Sequence, residues 1–266
     1  MTAHSADALS LTTTLTTTLA TTVTGAGPGL VLAHGAGGSV ADNFGPLIPV
    51  LARDHTVVGS DYPSTDEELS LDGLADAVVA AAVAAGVERF TVIGFSLGSA
   101  VAVRAATRHP DRVRGLVLAA GFARADNRFG LAMELWQEAL GRGDRETFAR
   151  FALSSGFGAD FVNALPGEQL PGLVGQVAAG VPGGTRRQAE LAARVDTTAE
   201  LAALAVPVLV VNATRDLLVD PANSRELAAG IPGAEYVEID AGHVFMAERP
   251  DEWETRVVTF LRERGL

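Results

Sequence analysis

Four short apolar runs, with helical patterns between them, dominate the first half of the chain. They read GLVLAHG (29–35), HTVVGSD (55–61), RFTVIGF (89–95) and VRGLVLAAG (113–121). Apolar runs of this length without polar alternation suit strands buried on both faces. Residues 42–54, 69–87 and 96–110 carry helical spacing, the last halted near Pro110. Strand and helix alternating at this interval call for a mostly parallel sheet with helices on both faces.

The rhythm breaks after residue 121. Up to about residue 205 there is no buried-strand run, only short amphipathic patterns such as LAMELWQEAL, RETFARFAL, QLPGLVGQVAAG and RRQAELAARV. The sheet pattern then resumes with VPVLVVNAT (206–214), a helix over 221–231, AEYVEID (234–240) and a last helix over 249–264. The expected organisation is an α/β core (1–121 and 206–266) interrupted by an all-helical insertion (122–205). Its natural place is over the carboxyl ends of the strands, where open α/β sheets keep their ligands. The Thr-rich stretch 9–24 favours extended structure and reads as an edge hairpin.

Composition removes several chemistries. The 266 residues include no Cys and no Lys, all 20 basic residues being Arg, which excludes disulfides, thiolate nucleophiles and lysine Schiff bases. The net charge of −12 disfavours nucleic acid or an anionic membrane as partner and leaves a small molecule as the expected one. No run is long enough to span a membrane, and the amino-terminal stretch lacks the basic and apolar parts of a signal peptide, so a cytoplasmic protein is expected. GAGG in residues 35–38 lacks the spacing of a dinucleotide fingerprint, and neither cofactor nor metal is expected.

GFSLG (94–98) places Ser96 where a strand ends and a helix begins. A turn that tight needs small residues at 94 and 98 and lifts the serine hydroxyl out of the sheet edge. A serine needs a base. Of the five His, His4 lies in the tail, His55 precedes a strand and His109 sits at a helix stop; His243, after the last strand, can reach the same sheet edge as Ser96. The His in turn needs a carboxylate to hold its tautomer. Asp216 follows a strand directly; Asp220, which could instead cap the next helix, and Asp126 are its rivals. HGAGG (34–38) supplies a loop whose Ala36 N–H, with that of Leu97, would point at a developing oxyanion. His34 would then hold the loop.

Together HGAGG, GFSLGS, NATRDLLVDP and AGHVFMAERPDEWETRVVTFL resemble the α/β-hydrolase superfamily over roughly residues 25–265. The resemblance implies a serine nucleophile (Ser96), acid (Asp216), base (His243), oxyanion donors (Ala36, Leu97) and a helical lid over 122–205. It also implies hydrolysis of an ester or thioester of a small to medium, mostly apolar substrate through an acyl-enzyme. Three positions depart from the common pattern: the loop SDYPSTDEE, Phe95 in the elbow, and Ser99 after it. Asn43-Phe44 is similar to a pair in relatives that hydrolyse carbon–carbon bonds of diketones, which makes that reaction the nearest alternative. Perhydrolase-like or lyase-like members, and a non-catalytic ligand receptor of the same fold, are more distant ones.

Overall fold

The computed structural model describes residues 19–266. Seven strands form one sheet: β1 Ala20–Thr24, β2 Gly29–Ala33, β3 Thr56–Asp61, β4 Phe90–Phe95, β5 Val113–Ala119, β6 Val208–Ala213 and β7 Glu235–Ile239. Their spatial order is β1-β3-β2-β4-β5-β6-β7, parallel throughout except for β1. β1 does lie at an edge, but it runs antiparallel to β3, with Val23 opposite Val58, and is not the hairpin partner of β2. Residues 9–18 of the expected hairpin lie outside the described residues.

Side chains alternate across the central strands, so each strand feeds two cores. Leu30, Leu32, Ile93, Val117 and Val211 pack on one face with Phe44, Trp253 and Phe260. Val31, Ala33, Val92, Leu116 and Val210 pack on the other with Val78, Val101 and Leu227. The first face is covered by α1 (Val40–Phe44), α2 (Ile48–Leu51), α11 (Phe245–Glu248) and α12 (Pro250–Arg264); the second by α3 (Leu71–Ala84), α4 (Leu97–Arg108) and α10 (Pro221–Gly230). The single helix expected over 42–54 is two short ones, divided at Gly45-Pro46. The α3 helix has clear punctuation: the Ser70 hydroxyl accepts the Gly73 N–H at 3.0 Å, worth about 1 kcal/mol, and Gly86 leaves at φ +81°.

Between β5 and β6 lie α5 (Asn127–Gly141), α6 (Arg145–Gly156), α7 (Ala159–Asn163), α8 (Leu170–Gly180) and α9 (Thr185–Ala192). Phe122, Phe129, Met133, Trp136 and Phe148 join this helical block to the core on the α3–α4 face. No helix among the described residues is long and apolar enough to cross a membrane.

Candidate active site

β4 ends at Phe95, and the next residue, Ser96, adopts φ +53°, ψ −118°, a backbone that L residues rarely take. Close packing enforces it. A Cβ on Gly98 would lie 1.9 Å from the Ala33 carbonyl oxygen, and one on Gly94 2.2 Å from that of Gly98. The Ser96 N–H donates to Ala119 at 2.9 Å, tying the elbow to β5. The serine hydroxyl does not cap α4; it lines a cavity instead. Ser99, unusual by sequence, has its buried hydroxyl donating to the carbonyls of Gly94 (3.0 Å) and Ala119 (3.2 Å).

β7 ends at Ile239, and the following loop delivers His243 to the same cavity. Its ring lies 4.9 Å from that of Phe95, centroid to centroid, so the residue that departs from the family elbow forms a wall for the imidazole. His243 Nδ1 is 2.6 Å from Asp216 Oδ2. Asp216 Oδ1 accepts the N–H groups of Leu218 and Val219, both at 2.8 Å. Asp216 and His243 are both buried. A carboxylate accepts only, so Nδ1 carries the proton, and in the neutral tautomer it is Nε2 that holds the lone pair. The rival carboxylates are spent elsewhere. Asp220 caps α10 through the Ala222 N–H (2.8 Å), and Asp126 caps α5 through the Phe129 N–H (2.7 Å) while accepting from Asn223 Nδ2.

Three peptide N–H groups of the loop after β2 are held. Gly35 N–H donates to Asn43 Oδ1 (2.9 Å), Gly37 N–H to Gln188 Oε1 (2.9 Å) and Gly38 N–H to the Gly35 carbonyl (3.4 Å). Ala36 N–H has no partner among the described residues, and Ala36 lines the cavity. Leu97 N–H is a first-turn donor of α4 and lacks an intrahelical acceptor. His34 is not a base. Its Nε2 accepts the Tyr62 N–H (2.9 Å), its Nδ1 donates to the Gly35 carbonyl (2.8 Å), and burial holds its pKa below the usual 6.5.

The cavity measures about 510 Å³. Phe129, Met133, Trp136, Phe148, Leu153 and Leu173 of the helical block supply its apolar roof. Polar side chains on its wall are Asp42, Asn43, Ser96, Gln176 and His243, with no Arg among them. The block meets the His243 loop directly, because Glu248 Oε1 accepts both the Gly158 N–H (2.8 Å) and the Gly242 N–H (3.1 Å). Among the described residues no three His, Asp or Glu side chains converge as a metal site would require. Sequence reasoning missed Asn43, Gln188 and Glu248 as supports of this site; no local pattern marks a contact made across 151 residues, as that of Gln188 is.

Comparison with known proteins agrees with this architecture. Residues 28–250 match the model of the alpha/beta hydrolase fold family. A pyrrolizixenacetamide deacetylase of Xenorhabdus hominickii is 35% identical over 247 residues, 90% of this chain and 92% of its own length. A protein of Azorhizobium caulinodans provisionally named carbamate hydrolase RutD is 30% identical over 254 residues, 91% of this chain and 94% of its own. An enol-lactonase from Burkholderia xenovorans, 25% identical, superposes with a TM-score of 0.81 over 92% of this chain and 96% of that one. The relatives named for hydrolytic reactions, the matching family model and the shared sheet lead to one conclusion: the chain belongs to the α/β-hydrolase family and is a hydrolase.

Proposed function

We propose that the protein is a serine hydrolase that opens an acyl bond through a covalent acyl-enzyme. The observation that carries this is Ser96 on its left-handed backbone, sharing a cavity wall with an imidazole whose Nδ1 lies 2.6 Å from a buried carboxylate. The Ser96 proton passes to His243 Nε2 as Oγ attacks the carbonyl carbon. The resulting oxyanion takes the N–H groups of Ala36 and Leu97. His243 returns the proton to the leaving group, and water repeats the sequence to release the acid. The helices of 122–205 serve as a lid over this site. Neither a cofactor nor a metal enters the reaction.

The substrate is a small to medium, mostly apolar ester or thioester. An apolar roof and the lack of an Arg on the wall support this, because no guanidinium there would pair with an anionic head group. Each methylene of an acyl chain that enters such a pocket contributes about 0.8 kcal/mol. A second reading, cleavage of an acyl carbon–nitrogen bond, is favoured by relatives named for acting on an acetamide and a carbamate. One plate tests both. Acyl esters of increasing chain length, acyl thioesters, acetamides and a ring-cleavage diketone are compared at equal concentration, with Ser96→Ala alongside and a fluorophosphonate adduct mapped by mass spectrometry. The expected result is a single adduct at Ser96, and ester turnover that rises from acetyl to medium acyl chains and vanishes in Ser96→Ala. Amide turnover above ester turnover selects the second reading; diketone cleavage without ester turnover rejects both.

A further inference from the structure

The peptide N–H assigned to the oxyanion belongs to a loop pinned from opposite sides. On the sheet side Asn43 of α1 holds Gly35; on the other, Gln188 of α9 holds Gly37. Gln188 is 1% exposed and belongs to the helical block. Its helix does not float. Arg186 and Arg187 both pair with Asp66 of the loop after β3 (3.0 and 3.2 Å) and with Glu190 one turn further on. At the start of α9, Gly184 turns at φ +77°, and a Cβ there would lie 2.3 Å from the Pro63 carbonyl oxygen. Gly37 itself sits under the block at φ +75°, and a Cβ on it would come 3.0 Å from Trp136 and 3.2 Å from Thr185. The acidic SDYPSTDEE loop, so unlike its family counterpart, is therefore the seat of α9.

We infer that Gln188 is a positioning residue for the oxyanion site, fixing the Gly37 peptide so that the preceding N–H, that of Ala36, faces the cavity. This rests on the serine-hydrolase reading above. The geometric reason is that the Ala36 N–H lies in one peptide plane with the Gly35 carbonyl, which accepts from His34 Nδ1 (2.8 Å) and the Gly38 N–H (3.4 Å), while Gln188 holds the following plane and so opposes the paired φ/ψ rotation that would turn the Ala36 N–H away. Donors at such a site act only when already aimed at the developing charge, and a misplacement of about 1 Å costs as much as about 10²-fold. The helical block thus contributes a part of the catalytic frame as well as a roof.

The test is a steady-state comparison of wild type, Gln188→Met, Gln188→Asn, Gln188→Glu and Ser96→Ala on one p-nitrophenyl ester. Affinity for an alkyl boronic acid, which forms a tetrahedral adduct with a serine, is measured on the same proteins. Met keeps the length without a comparable acceptor; Asn keeps the amide but withdraws its oxygen by one methylene; Glu keeps an oxygen in place. The expected result for Met and Asn is kcat lower by about 10-fold to 100-fold, KM nearly unchanged and boronate affinity reduced in parallel, with most of kcat restored in Glu. Should Met fail to fold, Asn carries the comparison. Three results overturn the inference: kcat within about threefold of wild type in Met and Asn, a rise in KM alone, or an equal loss in Glu, which would make the role one of packing. Full activity in Ser96→Ala would instead overturn the serine-hydrolase reading, whatever Gln188 does.

Discussion

Replacing Asp216 by Asn leaves the shape of the site intact and reverses one proton. In the native site Oδ1 faces two N–H donors, Leu218 and Val219, and Oδ2 faces His243 Nδ1. An Asn side chain has one oxygen and one NH2 to place there. With the NH2 toward Leu218 and Val219, three donors would collide, leaving two buried backbone N–H groups unpaired at about 1–3 kcal/mol each. The amide oxygen therefore takes Oδ1's place and the NH2 faces His243. Nδ1 must then accept, the ring proton moves to Nε2, and the nitrogen meant to receive the serine proton already carries one. The expected loss in kcat is about 10²–10⁴-fold, or roughly 3–5.5 kcal/mol of transition-state stabilisation at 1.36 kcal/mol per decade. The melting temperature should stay near wild type, since all three contacts at residue 216 survive in altered form. The assay is ester turnover at saturating substrate beside thermal melting, with Asp220→Asn and Asp126→Asn as controls in which the amide oxygen can still cap the helix. Turnover of Asp216→Asn within about tenfold of wild type, or a dead Asp220→Asn that still folds, would refute the reasoning.

Gly98→Ala should fail for steric reasons: its Cβ would strike the Ala33 carbonyl at 1.9 Å, with backbone on both sides unable to yield. We expect insoluble protein or a melting temperature lower by at least about 5 °C, whereas Gly130→Ala on α5, with nothing within 4 Å, should be neutral or stabilising; equal melting of the two variants would be the contrary result. Acid should destabilise the protein in two separable windows. His34 is held neutral in the fold, so the unfolded chain gains its proton first and stability falls as pH drops below about 6.5. Asp76, held down by the Arg108 guanidinium, and Asp126, held down by N–H donors that outweigh its burial, stabilise the fold above their ordinary 3.8, and that contribution is lost only as pH falls below it. Between pH 7.5 and 5, His34→Gln should therefore lose less melting temperature than wild type, though starting lower; identical losses would exclude His34 as the source.

What the sequence discloses here follows the range of the interactions. The alternation of buried runs and helices specifies the sheet because each element is patterned within its own ten to fifteen residues. The place of Ser96 in a tight turn between strand and helix is legible for the same reason, since Gly94 and Gly98 are part of that turn. Asp216 is harder: it stands four residues from Asp220, and only the contacts of each side chain show one facing His243 and the other capping a helix. The pairing of β1 with β3 and the hold of Gln188 on Gly37 leave no local trace. Those contacts arise from tertiary packing between segments far apart in the sequence. Helix α7 is too short, at five residues, and too exposed to show a periodicity.

The backbone of Ser96 has a consequence for how such a protein changes over generations. A non-glycine residue at φ +53° costs on the order of 1–3 kcal/mol, against a total folding stability of roughly 5–15 kcal/mol for a typical domain. Glycine at this position would relax that conformation, at the expense of its own greater freedom when unfolded. Stability alone therefore gives little reason to keep a serine here. On the serine-hydrolase reading, turnover is what favours a serine here; without that demand residue 96 would meet scant thermodynamic resistance to change, while Gly94 and Gly98, packed against backbone, would still be required.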